Sequence, residues 1–308
     1  MAATGTKRHQ VIRAAYRAYL AAWMTVTSRF PVGTNVYNRD WDALLILDTC
    51  RVDALRAVAD EYDFLGDIGV ITSVGSTSPE WIANTFRTEF VREIRDTAYV
   101  SANAFSKRVI EQRRFPAERI PVAWQVVPAE EFLLLDHAWE YQPETRFKHM
   151  LPEHVTDRAI TVGRDYDAGR LIIHYSQPHA PYIAGPREEG RPLHPHESAP
   201  FEQLRCGETT RRIVWDAYLD NLRMVLDSVE LLLENLEAER VAISADHGEA
   251  FGEYGVYAHT AGQLSPYVKQ VPWVITEATD TGSHAPEFRP GTPRREVETQ
   301  LRDLGYMP

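Results

Sequence analysis

From Trp41 onwards, short apolar runs alternate with longer amphipathic segments. Ala43–Leu47 and Val241–Ser244 are two such runs, each long enough for a buried strand and too short for a helix. A long amphipathic segment over residues 211–237 precedes the second run. Strands that alternate with helices pair in parallel, because each helix carries the chain back to the starting edge of the sheet. The sequence therefore predicts an α/β/α sandwich with a central, mostly parallel sheet.

The same patterns place the remaining elements. Further strands are predicted at 68–73, 171–175 and 271–275, and further helices at 79–92 and 296–304. The stretches 178–207 and 276–294 are polar, with the first rich in Pro, Gly and His, and are predicted to be long loops. Such loops often carry functional residues.

The charge balance excludes one class of partner. The 308 residues include 33 Lys and Arg against 44 Asp and Glu, a formal net charge of -11. Binding to nucleic acid needs a concentrated basic face, and the basic residues here are scattered among carboxylates, so we predict no nucleic-acid partner. Cys50 and Cys206 are the only cysteines, too few for a disulfide framework and compatible with a reducing compartment.

The first 36 residues are predicted to form an amphipathic helical extension, separate from a domain over residues 37–308. In Val11–Val26, apolar side chains recur at helical spacing, interrupted by Arg13 and Arg17. No apolar run reaches the roughly 18 residues of a membrane span, and no signal peptide is recognised, so we expect a cytoplasmic protein. The helix either packs on its own domain, the favoured interpretation, or makes peripheral contact with a membrane surface.

Polar residues follow two of the predicted strands. In an open parallel sheet, ligands collect at the carboxyl ends of the strands. Asp48 follows the first strand, with Arg51 three residues later, and Asp246 and His247 follow the strand that ends at Ser244. Carboxylates and an imidazole that meet at one sheet edge can bind a divalent cation. The alternative is a capping aspartate beside a surface histidine.

A hydroxyl cluster, Gly75–Pro79, opens the predicted helix at 79–92. A hydroxyl at a helix N-terminus lies among free backbone N–H groups and the positive end of the helix dipole, which favours an alkoxide and an anionic substrate. Ser and Thr are also the preferred N-caps, so capping alone is the competing interpretation.

Together these motifs resemble those of the alkaline phosphatase superfamily, in particular its sulfatase-like and lipoteichoic-acid-synthase-like branches. The matching segments, in the family's order, are Leu45–Arg51, Thr77–Pro79, His179–Tyr182, Ser244–Glu249, His259 ahead of Val271–Ile275, and Leu301–Tyr306. The resemblance implies that residues 37–308 form an alkaline phosphatase-like catalytic domain.

The resemblance also implies one divalent cation, Mn, Mg, Ca or Zn, held by Asp48, Thr77, Asp246 and His247. Such a cation would lower the pKa of the nucleophilic hydroxyl and polarise an oxygen of the substrate. The Asp-x-x-x-His motif that two-zinc members carry near His179 is absent, so a single cation is expected.

The remaining roles are carried over in the same way. Thr77, two residues before the proline, is predicted to be the nucleophile, with Ser78 as the alternative. His179 and His259 are implied to contact the anion or to protonate the leaving group. Arg51 is implied to pair with the anion, or equally with a nearby carboxylate.

The predicted function is that of a metal-dependent hydrolase or transferase that acts on an anionic phosphate-type ester through a covalent Thr or Ser intermediate. The Cys-x-Pro-x-Arg signature of sulfatases with a modified cysteine is absent. Two alternatives stay open: a sulfate-ester or phosphonate hydrolase on the same scaffold, and a non-catalytic relative that acts as a binding or scaffold module.

Overall fold

The computed structural model describes residues 2–115, 120–143, 145–147, 149–292 and 295–303, and for residues 2–13 it describes the backbone only. The strands are β1 Ala43–Leu47, β2 Gly69–Thr72, β3 Thr97–Ser101, β4 Leu134–Asp136, β5 Arg170–Tyr175, β6 Ala238–Ser244 and β7 Gln270–Ala278. They form one sheet in the order β2, β7, β6, β1, β5, β3, β4.

Helices occupy most of the connections. The α-helices are α1 Ala2–Thr27, α2 Val52–Val58, α3 Ser78–Thr85, α4 Val91–Ile94, α5 Pro152–Asp165, α6 Ala184–Glu188, α7 Pro195–Ser198, α8 Pro200–Cys206, α9 Arg211–Leu233, α10 Pro266–Lys269 and α11 Val297–Asp303. Short 3-10 turns lie at Val36–Asn38, Ala59–Glu61, Thr88–Phe90, Ala129–Glu131, Ala138–Tyr141 and Glu253–Gly255, and one π-helical turn lies at Lys107–Glu111.

The centre of the sheet is parallel. All five residues of β1 are buried, and β1 pairs in parallel with β5 on one side and β6 on the other. The strands β3 and β4 extend this parallel arrangement, whereas β7 is antiparallel to both β6 and β2. A strand buried on both faces reads as a continuous apolar run, which is why the β1 sequence is unbroken.

Both faces of the sheet are covered by helices. Successive side chains of a strand point to opposite faces. On β5, the Tyr175 hydroxyl hydrogen-bonds Thr156 of α5, while the neighbouring His174 ring packs at 5.6 Å from the Trp81 ring of α3. The predicted α/β/α sandwich with a mostly parallel central sheet is therefore confirmed.

Most predicted elements are present, with different ends. The run 43–47 is β1 without change, and the runs 68–73, 171–175, 241–244 and 271–275 correspond to β2, β5, β6 and β7. The helix predicted over 79–92 is shorter, because α3 ends at Thr85 and the carbonyl of Phe86 accepts the N–H of Val127 instead of continuing the helix. The long amphipathic segment is α9, which ends at Leu233.

The prediction of a continuous loop over 178–207 was wrong. That stretch contains α6, α7 and α8. Pro195 and Pro200 lie in the first turns of α7 and α8, where proline is tolerated because the first N–H groups have no partner inside the helix. In the loop predicted over 276–294, the strand β7 continues to Ala278.

The predicted family-like tail Leu301–Tyr306 is described only as far as Asp303, at the end of α11, and residues 304–306 lie outside the described residues. The extension contains α1, but the boundary between residues 36 and 37 stays a prediction. None of the described helices combines the length and the apolar character needed to cross a bilayer.

His149 lies inside the domain near the end that carries α11. It is 1% exposed, and within the described residues neither ring nitrogen has a hydrogen-bond partner. Burial, helped by the positive charge of Arg295, lowers the pKa of His149 to about 4. Because its pKa is lower in the folded state than in the unfolded state, His149 contributes stability above about pH 6.5 that is lost as the pH falls towards 4.

We expect replacement of His149 by leucine to remove part of the acid sensitivity of the fold. The free energy of unfolding of the native chain should fall by about 2 kcal/mol more than that of His149→Leu between pH 7.5 and pH 5, as measured by urea denaturation. Parallel pH profiles for the two proteins would contradict the assignment.

Candidate active site

Two aspartates are brought together by the register of neighbouring strands. In the parallel pair of β1 and β6, Ile46 lies opposite Ser244. Asp48 and Asp246 each follow their strand's paired residue by two positions, so both leave the sheet at its carboxyl edge. Both side chains are buried, as is that of His247.

Each aspartate has one oxygen held by the protein and one without a partner. Asp48 Oδ2 accepts a hydrogen bond from Asn103 Nδ2 at 2.9 Å. Asp246 Oδ1 accepts the backbone N–H groups of Thr49, at 3.2 Å, and His247, at 2.8 Å. Among the described residues, Asp48 Oδ1 and Asp246 Oδ2 have no hydrogen-bond partner. Unpaired carboxylate oxygens inside a protein are costly unless a cation or a donor compensates them.

Thr49 shows how the turn after β1 supports this arrangement. Its φ is +67°, in the left-handed region that β-branched residues rarely adopt. Its N–H donates to Asp246, and its carbonyl accepts the hydroxyl of Tyr218 on α9 at 2.9 Å. Strained backbone persists where surrounding contacts over-determine it, and here the strained residue holds an acid of the site.

His247 completes a group of three potential ligands. Its Nδ1 lies 2.9 Å from the carbonyl of Gly248, which assigns the ring proton to Nδ1 and leaves the Nε2 lone pair free. That Nε2 lies 3.4 Å from Asp246 Oδ2 and 3.9 Å from Asp48 Oδ1. Burial lowers the pKa of His247 to about 4, so the ring is neutral near pH 7.

These three residues fit a divalent cation. One ligand atom from each lies within 4.8 Å of the others, and the donor set of two carboxylate oxygens and one imidazole nitrogen suits Mn²⁺ or Zn²⁺. Burial, and then the negative charge of Asp246, raise the pKa of Asp48 well above its usual range. A bound cation would reverse that effect, because it favours both ionised carboxylates.

A second group of potential ligands lies next to the first. It consists of His179, Glu249 and His259, again with one ligand atom each within 4.8 Å of the others. His259 Nδ1 lies 3.0 Å from Glu249 Oε2, and within the described residues Glu249 Oε1 has no hydrogen-bond partner. The sequence predicted contacts to the anion for the two histidines, but not a second carboxylate between them.

A row of rings joins the two groups to an open cavity. The ring of His259 lies 4.3 Å from that of His247 and 5.3 Å from that of His179, centroid to centroid. A cavity of about 380 Å³ opens onto His179, Glu249 and His259. Its other lining residues are Ala180, Ser198, Ala199, Pro200, Phe201, Glu202 and Ala258.

Thr77 and Ser78 lie at the start of α3, as predicted, but in different situations. Thr77 is the N-cap, yet its hydroxyl makes no capping hydrogen bond, and Oγ1 is buried without a partner among the described residues. Ser78 is fully buried, with its Oγ 3.4 Å from Nε2 of His247. The Ser78 hydroxyl is thus in contact with the first group of ligands. The Thr77 hydroxyl makes no hydrogen bond to the described residues.

The loop before α3 is held in place by a buried carboxylate. Glu80 Oε2 accepts both the N–H and the hydroxyl of Ser76, at 2.9 and 2.5 Å. The other oxygen of Glu80 accepts the N–H of Gly262 at 3.0 Å. A Cβ at Gly75 would lie 2.4 Å from the Trp81 nitrogen, so only glycine fits there. These contacts join the hydroxyl-bearing loop to the segment that follows His259.

For Arg51, the structure favours the salt-bridge alternative. Its guanidinium is 1% exposed, donates to Asp53 at 2.6 Å and Glu253 at 2.8 Å, and bonds the carbonyl of Glu249 at 3.0 Å. The Trp215 and Tyr267 rings lie 5.0 and 4.6 Å from it. Arg51 therefore holds the Glu249 segment against α2, and a direct role in anion binding stays a prediction without structural support.

Sequence reasoning missed three residues of this site. Asn103 follows β3, a strand that was not predicted, and turn-forming asparagines are too common to single out. Glu249 ends the matching segment Ser244–Glu249 but received no role from the sequence, and its side chain is buried. His174 lies in the predicted strand 171–175, and its Nε2 faces Asp246 Oδ2 at 3.7 Å while Nδ1 pairs with Tyr99 at 2.9 Å. The available signal for His174 was its place next to the last residue of that strand; for Asn103 there was none, because β3 was not predicted.

The structure is similar to several solved structures. The integral membrane protein lipooligosaccharide phosphoethanolamine transferase A from Neisseria meningitidis matches with a TM-score of 0.51 and 17% identity, over 82% of this chain and 50% of that one. The chain has the alkaline phosphatase-like fold. The soluble domain of the same transferase matches with a TM-score of 0.49 and 16% identity, over 77% of this chain and 76% of that one.

Other solved structures match with lower TM-scores. A 2-O GAG sulfatase matches with a TM-score of 0.46 and 14% identity, over 86% of this chain and 70% of that one. No protein-family model and no curated protein sequence matches the chain. The predicted alkaline phosphatase-like fold is therefore confirmed, and this chain spans half the length of the integral membrane transferase.

We expect Asp48→Asn to abolish stabilisation by a divalent cation. At a Mn²⁺ or Zn²⁺ concentration 100 times the dissociation constant, the native chain should gain about 2.7 kcal/mol over the chelated protein in thermal or urea unfolding. The variant should gain little, and in chelator it should be at least as stable as the native chain, because one of two repelling charges is gone. Asp216→Asn, a change of the same kind at a residue 62% exposed, should retain the full gain.

Proposed function

We propose that this chain is a divalent-cation-dependent enzyme that hydrolyses or transfers a phosphate-type ester through a covalent intermediate on a hydroxyl at the start of α3. The observation that supports it most is the pair of buried carboxylates, Asp48 and Asp246, whose inner oxygens face the Nε2 of His247 without partners in the described residues. A structural core would leave no such pair uncompensated. The cation would be held by these three residues together with a hydroxyl, as predicted, and would supply Lewis-acid stabilisation of the reacting hydroxyl and the substrate oxygen.

We assign the nucleophile to Thr77. Its oxygen would form a bond to phosphorus while the bond from phosphorus to the leaving oxygen breaks, and the threonine proton is released to solvent. Backbone N–H groups in the first turn of α3 would face the anionic oxygens. Water or an acceptor alcohol would then attack the phosphorus and release the Thr77 hydroxyl.

His259 is suited to protonate the leaving oxygen. Burial disfavours its charged form, but the carboxylates of Glu249, Asp246 and Glu80 together outweigh burial and raise the pKa of His259. In contrast, burial lowers the pKa of His179 to about 3, so this ring stays neutral. A proton donor beside a neutral imidazole at the mouth of the cavity fits the two roles that the family resemblance implies, donation to the leaving group and contact with the anion.

The cavity indicates what the organic part of the ester carries. Its titratable lining side chains are Glu202, Glu249 and two histidines, and the described lining contains no Lys or Arg. An organic part that is neutral or positively charged is therefore favoured over one with further anionic groups, since like charges repel at close range.

The positions of the cysteines favour a hydroxyl mechanism. Cys50 is fully buried in the turn after β1, where its Sγ contacts the carbonyl of Arg51, and Cys206 is exposed at the end of α8. Neither lies at the start of α3, where the nucleophile belongs. This supports the prediction from sequence that a sulfatase with a modified cysteine is not the function.

A substrate panel tests the reaction. With Mn²⁺ or Zn²⁺ present, the chain should hydrolyse an aryl phosphate or an aryl phosphodiester, and Asp246→Asn should lower kcat/KM by at least about a hundredfold, as expected for loss of a metal ligand. Turnover of an aryl sulfate or phosphonate alone would establish the alternative hydrolase. No turnover, with cation binding absent as well, would establish the non-catalytic alternative.

Paired variants at the hydroxyl cluster test the nucleophile. Thr77→Ala should abolish turnover and remove the phosphorylated intermediate seen by mass spectrometry after acid quenching, while Thr77→Ser should retain both. Ser78→Ala should keep the intermediate, with kcat lowered by about tenfold or less, because in this assignment its hydroxyl supports His247 and the two aspartates and forms no bond to phosphorus. The reverse pattern would assign the nucleophile to Ser78.

A further inference from the structure

The first helix is only partly packed on the domain. Met24, Thr27 and Ser28, at its carboxyl end, are buried. In contrast, all six residues from Ala14 to Tyr19 are exposed. A helix that packs along its own domain covers one face in every turn, whereas this stretch is hydrogen-bonded to the described part of the domain only through the hydroxyls of Tyr16 and Tyr19, at Thr260 and Gly262. The close packing favoured from sequence is therefore found in the last turns of α1.

The exposed stretch belongs to a segment with an unusual charge. Residues 1–39 contain six of the 33 basic residues and none of the 44 acidic ones, a charge of +6. The remaining 269 residues carry 27 basic against 44 acidic residues, a charge of -17. Lys7, Arg8, Arg13 and Arg17 lie within α1. A strongly acidic domain is thus joined to a positively charged helix.

Aromatic side chains form a stripe along the same helix. Tyr16 and Tyr19 lie 6.3 Å apart, centroid to centroid, and Tyr19 stacks at 6.3 Å on Trp23. Tyr16 and Tyr19 are 45% and 37% exposed. Tyrosine and tryptophan, with an apolar ring and a polar edge, are the residues that favour the boundary between lipid and water.

The stripe lies beside the candidate active site. The Tyr19 hydroxyl donates to the carbonyl of Gly262 at 2.6 Å, and a Cβ at Gly262 would come within 2.8 Å of Leu20. Gly262 follows His259 by three residues and is bonded to Glu80 of α3. Leu264, 56% exposed, extends the apolar surface on this segment. The helix and the active-site edge therefore form one continuous surface.

We propose that α1 and the segment 260–264 form a binding surface for an anionic lipid bilayer. Basic side chains on an acid-free helix are attracted to anionic headgroups, and exposed aromatic rings beside them enter the interfacial region. The remainder of the chain is repelled by the same headgroups because of its charge of -17. Only this surface can then face the bilayer, with the edge that carries His259 next to it. The inference that this edge meets an ester carried by a lipid rests on the proposed function. The inference of a bilayer-binding surface is independent of it.

Vesicle co-sedimentation of the full chain tests the proposal. The chain should bind vesicles of equimolar phosphatidylcholine and phosphatidylglycerol at least about tenfold more tightly than vesicles of phosphatidylcholine alone, and added salt should weaken the binding. Arg13→Glu combined with Arg17→Glu should reduce binding to the anionic vesicles by about tenfold or more. The matched control, Arg212→Glu combined with Arg289→Glu, changes net charge equally at exposed positions away from α1 and should bind like the native chain.

Three results would overturn the proposal. The first is equal binding to both vesicle types, and the second is an equal loss of binding in the two double variants. The third is no binding to vesicles together with a concentration-dependent dimer that dissociates in Arg13→Glu with Arg17→Glu. That third result would assign the surface to a second copy of the chain. Turnover of a water-soluble aryl phosphate separates this test from that of the proposed function. This turnover should be unchanged in Arg13→Glu with Arg17→Glu. If the native chain shows no turnover, the proposed reaction is contradicted and the vesicle result is unaffected.

Discussion

The site depends on one unfavourable arrangement, two carboxylates that face each other in the interior. Asp48 and Asp246 are there because β1 and β6 are parallel neighbours whose ends coincide. Their outer oxygens accept hydrogen bonds from Asn103 and from the N–H groups of Thr49 and His247. Among the described residues, their inner oxygens accept none. Hydrogen bonds of this kind orient carboxylates as ligands. The remaining repulsion raises the pKa of Asp48, and a cation between the two carboxylates would relieve it while both stay ionised.

Buried acidic and basic side chains also hold distant segments of the chain around the two aspartates. Glu80 ties the loop of Thr77 to Gly262, and Arg51 ties the Glu249 segment to α2. Both side chains are buried and hydrogen-bonded to named partners, so they fix the positions of the segments that they join. His259 lies between these two supports. Its distances to His247 and His179 are therefore set by the scaffold and not by a ligand, which is the condition for a preorganised site.

The sequence allowed prediction of the parts of this site that follow long, unbroken apolar runs. β1 and β6 are buried on both faces, so their runs are continuous, and the residues that follow them were identified as candidate ligands. β3 and β4 were missed because Thr97–Ser101 and Leu134–Asp136 are short and mix polar with apolar residues, which no periodicity distinguishes from a loop. The helices α7 and α8 were missed because the prolines in their first turns suggested a loop. Asn103 and the burial of Glu249 depend on tertiary packing, which local pattern does not encode.

The charge distribution limits how an anionic ester can reach this site. A body with a charge of -17 repels anions at long range, and the described lining of the cavity offers no Lys or Arg at short range. Under the proposed function, the attraction would come from the site itself, from a cation held by the two aspartates and from a proton on His259, both of which would act over a few ångströms. The overall field of the chain therefore does not steer an anionic ester towards the site. A basic, aromatic helix beside the site compensates in one specific way, since it concentrates the protein on an anionic surface and brings the active-site edge to any ester held there.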